Sequence, residues 1–232
     1  MDQWTRIKWM LGPDIMSTIK NTHVLIIGVG GVGSHATESL IRSGIEHITM
    51  IDYDKIDITN LNRQIMTNIN NIGKYKIDVL EERMKQINPN STIQKQYLHL
   101  SKEQINPIIN QIKPNYVIDA CDTMEVKKEL IRVCLKQNIP FISCMGTGNK
   151  LDPTKLQITD IRKTNYDPIA KIIRKMVKEE QIKGKIPVVW SNEQPIKTTN
   201  QKIGSMIFVP STAGILCASH IINQIIKEKK EK

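Results

Sequence analysis

The sequence predicts an α/β protein whose mainly parallel, doubly wound sheet is covered by helices on both faces. Short runs rich in β-branched residues alternate with segments of helical periodicity over the first two-thirds of the 232 residues. Apolar residues make up 40% of the chain but aromatic residues only 4%, so aliphatic side chains must fill the interior, as in buried parallel strands. The length favours a single domain, with a first part of about residues 20–148 and an extension of about residues 149–232.

The predicted sheet begins with a strand, a helix and a second strand. His23–Ile27 is short, apolar and β-branched, which is typical of a buried strand. The glycine-rich turn after it opens a helix over residues 32–43, and Gly44 follows where helices commonly end in a left-handed residue. His47–Ile51 has the composition of the second strand.

The alternation continues to about residue 145. Apolar residues recur at helical spacing over residues 73–88, where Asn88-Pro89 stops the helix. Ser101 and Gln104 form a capping box that starts another helix. The other elements predicted here are strands over residues 93–98, 115–120 and 141–145 and a helix over residues 125–137.

After Lys150 the order of the elements changes. We predict a strand over residues 156–161, a basic helix over 168–182, a mobile polar loop over 191–203, and a final strand and helix between Met206 and about Ile226. Polar residues and a proline interrupt the last apolar stretch, which favours a buried strand and helix over a membrane span. The sequence therefore predicts no transmembrane segment.

A Gly28-x-Gly30-x-x-Gly33 motif lies directly between the first strand and the helix that follows it. Glycines at this place permit a tight turn, which includes Gly31, and let backbone N–H groups approach a phosphate at the helix N-terminus. Asp52 ends the second strand, where a carboxylate commonly accepts hydrogen bonds from ribose hydroxyls. These residues allow either NAD or ATP, and glycines that serve helix packing alone are the structural alternative.

Charged residues favour ATP over NAD. Arg63 follows the second strand and Lys76 opens the next helix, so two cations stand near the end of the nucleotide where a triphosphate lies. A dehydrogenase needs no cation there. Asp122 follows the fourth strand, at the carboxyl edge where doubly wound sheets bind ligands, and its carboxylate suits Mg²⁺. A helix N-cap is the alternative role for Asp122.

Four motifs occur in a fixed order: GVGGVGS at residues 28–34, IDYDKIDITNLNRQ at 51–64, IGKYK at 72–76 and IDACD at 118–122. Together they resemble the motif set of the ThiF-type adenylating family, which includes the ubiquitin-activating enzymes. The resemblance implies a ThiF-type fold, in which a Rossmann-like, mainly parallel sheet is extended by C-terminal strands and helices.

The same resemblance implies a role for each matched residue. The residues implied to bind ATP are Gly28, Gly30, Gly31, Gly33, Asp52, Asp54, Asn60 and Gln64. Arg63 and Lys76 are implied to neutralise the phosphates, and Asp122 to hold Mg²⁺. Arg6 matches an arginine that family members supply to the partner subunit's active site, which implies a homodimer; an exposed basic residue is the alternative. Arg6, Arg63, Lys76 and Asp122 are thus the predicted catalytic residues.

The second half of the chain resembles one branch of this family, the tRNA threonylcarbamoyladenosine dehydratases. The resemblance lies in residues 146–164, 167–175 and 188–195. Many relatives have Cys-Pro-Leu-Ala-Lys where this chain has Asp167-Pro-Ile-Ala-Lys, so a covalent role for a cysteine there is excluded. No CxxC pair occurs, so we expect no structural zinc. The cysteines at positions 121, 134 and 144 are expected to be small core residues.

The charge of the chain fits a polyanionic partner such as tRNA. The formal net charge is +10, although solubility alone is the simpler explanation of such a surplus. The predicted helix over residues 168–182 carries lysines on one face, which suits phosphate contacts; a merely soluble amphipathic helix is the alternative. The residues predicted to contact nucleic acid are Arg162, Lys163, Lys171, Lys175 and Lys178.

The resemblance implies an ATP-dependent dehydratase. It would adenylate the threonyl carboxylate of N6-threonylcarbamoyladenosine in tRNA and close a ring with loss of water. The alternatives are an adenylyltransferase for the C-terminal glycine of a carrier protein, a non-catalytic binding subunit and, as the weakest, an NAD-dependent dehydrogenase. A carrier or sulfur-transfer protein stays open as a further partner. Without a signal peptide, and with cysteines that form no disulfide framework, the chain is expected to be cytoplasmic.

Overall fold

A computed structural model describes residues 1–198 and 202–231 of the chain. In these ranges seven strands form one sheet: β1 (His23–Ile27), β2 (His47–Ile51), β3 (Thr92–Gln96), β4 (Tyr116–Asp119), β5 (Phe141–Cys144), β6 (Leu156–Asp160) and β7 (Pro187–Ser191). The helices are α1 (Thr5–Leu11), α2 (Pro13–Asn21), α3 (Gly33–Arg42), α4 (Lys76–Ile87), α5 (Lys102–Ile112), α6 (Met124–Lys136), α7 (Pro168–Glu179) and α8 (Phe208–Lys230). Short 3₁₀ turns span Ile58–Asn60, Ile69–Asn71, Pro153–Lys155 and Ile161–Lys163.

The sheet is doubly wound, as predicted. Its strand order is β3-β2-β1-β4-β5-β7-β6, and every neighbouring pair is parallel except the antiparallel pair of β6 and β7. The chain moves outward from β1 to β3, then returns to the other side of β1 with β4. Ligands of such sheets bind outside the carboxyl ends of the strands at this reversal, so the topology places a site between β1 and β4.

Each face of the sheet has its own apolar core. Alternate residues of a strand point to opposite faces, so Val24 and Ile26 pack on one side and Leu25 and Ile27 on the other. The first core joins β1 to α3, α4 and α8, and the second joins it to α5, α6 and α7. Truncating a fully buried aliphatic residue such as Leu25 to alanine costs roughly 2–5 kcal/mol of stability.

The helix after the glycine turn ends as predicted. Gly44 has φ of 101°, in the left-handed region that favours glycine. A Cβ at this position would also lie 2.2 Å from the terminal methyl group of Met16 on α2. The backbone conformation therefore favours glycine, and a Cβ at this position would also force the Met16 side chain to move.

The last element differs from the prediction. No strand forms near Met206, because the apolar residues that suggested one begin α8 at Phe208, and Met206, Ile207 and Phe208 are exposed. A strand there would have needed a position on the sheet, and beyond β5 the sheet is already extended by β7 and, at the edge, by β6. Residues 192–198 and 202–207 have neither helix nor strand, while residues 199–201 of the predicted loop lie outside the described residues.

Several boundaries also needed correction. Strand β7 was not predicted, and its last residue, Ser191, was assigned to the polar loop. Helices α1 and α2 were not predicted either. Helix α4 begins at Lys76 and not at Gly73, which has φ of 84° and so lies outside the helical region. Helix α7 ends at Glu179, three residues before the predicted end, and β3 ends at Gln96.

Helix α8 is a core helix of the fold. By length and composition it is the one helix among the described residues that could cross a membrane. Its buried residues, including Ala213, Cys217 and Ile221, pack into the core under β1 and β5. Gly214 lies directly on α3, where an added Cβ would be 2.3 Å from the Val32 carbonyl oxygen. This packing identifies the apolar face of α8 as part of the protein interior.

Candidate active site

A cavity of about 380 Å³ lies outside the carboxyl ends of β1, β2 and β4, at the reversal of strand order. Ten of the residues predicted to act on ATP line it. They are Gly28, Gly30, Gly31, Asp52, Asp54, Asn60, Arg63, Gln64, Lys76 and Asp122. The structure therefore brings together the residues of all four sequence motifs in one site.

The glycines of the turn have different functions. Gly28 has φ of 84°, and a Cβ there would lie 2.8 Å from the Ala120 carbonyl oxygen, so β1 and β4 approach closely at this point. Gly33 does not line the cavity. A Cβ added to Gly33 would lie 1.8 Å from the Gly28 carbonyl oxygen. Gly30 faces open space, with 3.8 Å to the nearest side-chain atom. Gly33 thus serves packing, while Gly30 leaves room for a ligand to approach the backbone.

Asp52 is fixed by backbone groups on both sides. Its two carboxylate oxygens accept hydrogen bonds from the N–H groups of Val29 and Asp54, each at 2.8 Å. Burial raises the pKa of Asp52 above its usual range, and the two backbone donors oppose that rise. Each carboxylate oxygen has a second lone pair, so Asp52 can accept further hydrogen bonds from ribose hydroxyls.

Lys76 is buried and forms an ion pair with Asp54, with 2.5 Å between Nζ and Oδ2. The Lys76 backbone N–H also donates to the Asp54 carbonyl oxygen at 3.0 Å. Asp54 is therefore the counterion of Lys76. A phosphate group that enters the cavity competes with Asp54 for this ammonium group.

The backbone and the side chain of Arg63 both make contacts that fix its position. Its aliphatic stem packs on Gly31, where an added Cβ would lie 3.3 Å from Arg63 Cγ. Its carbonyl oxygen lies 3.2 Å from His35 Nε2. Nη1 donates to the Thr59 carbonyl oxygen at 2.7 Å and to Asn62 Oδ1 at 2.9 Å. Both contacts use one of the three guanidinium nitrogens, which leaves donors on the others for a phosphate.

Asn60 and Gln64 are buried beside Arg63. Asn60 Oδ1 accepts from the Asp57 N–H at 3.1 Å, and this capping box fixes the 3₁₀ turn that carries the segment. The Oε1 atom of Gln64 is buried and has no hydrogen-bond partner among the described residues. A buried acceptor without a donor is costly, so this atom indicates a place for a ligand or water donor in the cavity.

Asp122 does not cap α6, in contrast to the alternative considered from the sequence. The N-cap of α6 is Thr123, and its side chain makes no capping hydrogen bond. Asp122 is exposed and forms no hydrogen bond or ion pair within the described ranges. Mg²⁺ commonly binds one or two carboxylates together with substrate phosphates and water, so a free carboxylate on the cavity wall fits this ion.

Sequence reasoning missed the residues at both ends of the cavity. One end is formed by Leu98 and Leu100, which follow β3, and by Tyr53 and His99, whose rings lie edge to face 4.4 Å apart. The position of β3 beside β2 was the available signal, since the carboxyl ends of parallel strands share one edge. The other end is formed by Thr147, Ser205 and Pro210, here called the C-terminal wall.

The cysteine predictions are partly confirmed. Cys134 and Cys144 are buried in the two cores, as expected. Cys121 is half-buried and lines the cavity, because the chain turns at the end of β4 and brings its side chain to the carboxyl edge. Burial raises the pKa of the Cys121 thiol well above its usual value. No group of three His, Cys, Asp or Glu side chains in the described ranges is arranged to hold a metal ion.

The predicted nucleic-acid residues lie away from the cavity. Lys171, Lys175 and Lys178 are exposed on α7, and Lys163 is exposed just before it. The guanidinium group of Arg162 is engaged by both carboxylate oxygens of Asp160 and by main-chain carbonyl oxygens of residues 182 and 184. Arg162 therefore anchors the segment before α7, and its contact with nucleic acid stays a prediction.

Arg6 is exposed on α1 and is not among the residues that line this cavity. This position is compatible with a contribution to a second copy of the chain, which the predicted homodimer requires. The role of Arg6 stays a prediction.

Comparison with known proteins gives one consistent relationship. The ThiF family model matches residues 5–232. The tRNA threonylcarbamoyladenosine dehydratase of Bacillus subtilis is 37% identical over 245 residues, which cover 98% of this chain and 96% of that protein. A crystal structure of Escherichia coli tRNA N6-threonylcarbamoyladenosine dehydratase, TcdA, in complex with ATP superposes with a TM-score of 0.93 at 31% identity, covering 99% of this chain and 96% of that one.

A relative of different function matches less of the chain. The molybdopterin-synthase adenylyltransferase of Haemophilus influenzae is 29% identical over 130 residues, which cover 56% of this chain and 53% of that protein. The dehydratase match therefore covers nearly the whole chain, whereas the adenylyltransferase match covers little more than half of it.

Proposed function

The chain belongs to the ThiF family, and from that premise we propose that it is an ATP-dependent tRNA threonylcarbamoyladenosine dehydratase. The observation that carries this proposal is the dehydratase match over nearly the full length of both chains, in sequence and in structure. The adenylyltransferase match covers little more than half of this chain. We infer that the C-terminal extension, which supplies Ser205 and Pro210 to the cavity, carries the difference between the two activities.

We infer the position of ATP from the cavity walls. The phosphates lie against the backbone N–H groups of the glycine turn, at the N-terminus of α3. Asp52 accepts hydrogen bonds from the ribose hydroxyls, and the adenine lies toward Tyr53 and His99. The buried Oε1 of Gln64 then receives a donor from the nucleotide or from a water bound with it. Asn60 supports this segment through its capping box.

Asp122 is the residue that would hold Mg²⁺. When bound, the ion neutralises negative charge on the phosphates and so assists departure of the leaving group. Arg63 and Lys76 supply fixed positive charge at the same groups, and such preorganised charge stabilises the transition state without reorganisation. For this, Lys76 exchanges its contact with Asp54 for one with phosphate.

The reaction has two steps on the substrate. In the first, an oxygen of the threonyl carboxylate attacks the α-phosphorus of ATP, which forms an acyl adenylate and releases pyrophosphate. In the second, the carbamoyl group attacks the activated acyl carbon, a ring closes, AMP leaves, and the carbamoyl group gives up a proton to solvent. The carboxylate oxygen departs with AMP and the carbamoyl proton with solvent, so, counted from the neutral acid, the nucleoside loses one water. The chain itself supplies positioning and charge, and forms no covalent intermediate.

We further propose that two copies of the chain assemble so that Arg6 of each reaches the cavity of the other. The exposed lysines of α7 bind the tRNA backbone, which gives affinity without reading sequence. A tRNA-modifying enzyme acts where tRNA is found, so the proposed location is the cytoplasm.

The test is ATP consumption by the purified protein with tRNA that carries threonylcarbamoyladenosine, compared with unmodified tRNA. We expect AMP and pyrophosphate to form in the presence of the modified tRNA, and nucleoside mass analysis to show the loss of one water. ATP turnover that is indifferent to tRNA, together with an adenylate on a carrier protein, would assign the chain to the adenylyltransferases. A chain that binds no ATP would be a non-catalytic subunit.

A further inference from the structure

Lys150 and Asp167 form a buried ion pair between the cavity and α7. Both residues are 2% exposed, and Lys150 Nζ lies 3.1 Å from Asp167 Oδ2. The same ammonium group donates to the Gly146 carbonyl oxygen at 2.8 Å and lies 3.5 Å from the Ser191 carbonyl oxygen. One buried cation thus joins the turn after β5, the end of β7 and the residue before α7.

Asp167 has a second function in the same place. Its Oδ1 accepts from the Ala170 N–H at 2.9 Å, so the carboxylate caps α7 with one oxygen and binds Lys150 with the other. A Cβ added to Gly146 would lie 3.0 Å from Oδ2, which shows how closely the turn approaches the carboxylate. Thr147, the next residue, lines the cavity. The N-terminus of α7 and the cavity wall therefore share one fixed point.

Stability alone does not explain a pair of this kind. Removing two charges from water costs several kcal/mol per ion, and apolar residues of similar volume often give equal or greater stability. What the pair does provide is a defined geometry, because the ammonium group must satisfy three acceptors on three segments. A looser apolar contact would let α7 shift relative to the cavity.

We propose that Lys150 and Asp167 are positioning residues that fix the basic face of α7 relative to the nucleotide cavity, so that a tRNA bound along α7 presents its modified nucleoside to the bound ATP. The proposal rests on the proposed function. Neither residue touches the substrate: each acts through the position of α7 and of the turn at Gly146. Displacement of reacting groups by about 1 Å can lower a rate by roughly 100-fold, so a small shift of α7 is sufficient.

The test uses three variants and their kinetics with modified tRNA. Lys150→Met leaves a buried carboxylate without its cation, and Asp167→Ser leaves a buried ammonium group but keeps a side chain that can cap α7. The double variant Lys150→Met/Asp167→Ser carries no unpaired charge, so it is expected to recover most of the melting temperature lost by Lys150→Met. Lys136→Met, an exposed lysine on α6, is the matched control.

For the double variant we expect kcat with modified tRNA to fall by at least about tenfold. The Kd for ATP and the Kd for tRNA, measured by equilibrium binding, should stay within about twofold of the wild type, because the glycine turn and the lysines of α7 are intact. A residue that only stabilises the fold would lower the melting temperature without changing kcat of the folded protein. Lys136→Met should match the wild type in all four quantities.

Two results would overturn the proposal. The first is a wild-type kcat in the double variant, and the second is a parallel weakening of ATP and tRNA binding, which indicates general loosening. If the double variant does not fold, Asp167→Asn replaces it. This variant keeps an oxygen that can cap α7 but removes the charge that binds Lys150, so its kcat and its two Kd values are compared with the wild type in the same way. Failure of the wild type to convert modified tRNA would instead refute the proposed function, so the two failures are distinguishable.

Discussion

Two walls of the cavity are built from the sequence in different ways: the C-terminal wall and the glycine-turn wall, which consists of Gly28, Gly30, Gly31, Asp52, Asp54, Asn60, Arg63, Gln64 and Lys76. On the first, Asp52 is held by the backbone of Val29 and Asp54, and every group comes from consecutive β-α units. On the second, Thr147 and Ser205 are far apart in the chain. They meet because two hydrogen bonds join Asn149 to Gly204. The Asn149 backbone N–H donates to the Gly204 carbonyl oxygen, and the Gly204 N–H donates to Asn149 Oδ1.

This difference predicts that the two walls vary independently among related proteins. A wall made from local motifs can be kept while the second substrate changes, because its residues lie within single β-α units. A wall made from long-range contacts depends on the whole C-terminal extension. The following variants test whether the two walls are as separate as this comparison suggests.

The largest effect is expected on the glycine-turn wall. Arg63→Ala removes a preorganised cation at the phosphates, and loss of one such group typically lowers turnover roughly 10²–10³-fold. Steady-state kinetics with saturating modified tRNA measure this. Arg42→Ala is the control and should leave turnover unchanged, because this exposed arginine on α3 lies outside the cavity and its partner Glu38 keeps Arg83 as a counterion. Near-normal turnover in Arg63→Ala would remove Arg63 from the site.

A substitution where α8 crosses α3 is expected to lower the free energy of unfolding. Gly214→Ala places a Cβ 2.3 Å from the Val32 carbonyl oxygen, so α8 must move away from α3. Overpacking of this kind costs about 1–3 kcal/mol, which chemical denaturation measures. Ile215→Ala, at the next and half-exposed position, is expected to change stability by no more than about 0.5 kcal/mol. Equal stability of the two variants would show that α8 adapts freely.

The pKa of Asp52 predicts how ATP binding depends on pH. Burial raises this pKa, so in the folded chain Asp52 takes up a proton at a higher pH than an ordinary aspartate does. As pH falls through the raised pKa, the charged ribose acceptor is lost and ATP affinity falls by about tenfold. The effect on folding stability runs the other way with pH. Because the pKa of Asp52 is higher in the folded chain than in the unfolded chain, its contribution to the free energy of unfolding is fully present below the unfolded pKa. This contribution is lost as pH rises through the folded pKa.

Calorimetric titration of ATP between acidic and neutral pH measures the first effect. The control is Asp52→Asn, whose side chain does not titrate, so its ATP affinity should lack this component of the pH dependence. An identical pH profile in the wild type and in Asp52→Asn would assign the dependence to other groups in the cavity.

The smallest effect is expected at Asn149. Asn149→Ala removes the 2.6 Å hydrogen bond from Gly204 and places alanine at φ of 58°, so we expect a loss of about 1 kcal/mol and faster amide exchange in residues 202–205. Asn149→Gly also removes the side chain but tolerates this φ, which separates the two causes. ATP affinity should not change in either variant. A weaker ATP affinity would show that the two walls are coupled.

The sequence predicted the glycine-turn wall almost completely because its groups lie within single β-α units. The glycines, Asp52 and Arg63 all line one cavity or support it, at the edge that the strand order requires. Lys76 was predicted as a phosphate cation, but its pairing with Asp54 was not, since that contact depends on the path of the chain between two elements.

The C-terminal wall could not be predicted from local patterns. Ser205 and Pro210 reach the cavity because α8 crosses α3 at Gly214, and helix crossing leaves no signal in a single sequence. The apolar run that opens α8 has the composition of a strand, but β7 and β6 occupy the positions beyond β5 in the sheet. His99 was missed because no motif follows β3, and Tyr53 was missed because only the carboxylates on either side of it were read as ligand groups.

The net charge of the cavity lining bears on how a nucleotide can bind. Three carboxylates, those of Asp52, Asp54 and Asp122, face two permanent cations, those of Arg63 and Lys76, so the lining is negative before any ligand arrives. A polyanionic nucleotide cannot be neutralised by such a lining. Under the proposed function, a divalent cation held by Asp122 and Arg6 of a second copy supply the missing positive charge. That proposal predicts a nucleotide affinity that varies with protein concentration as well as with metal concentration.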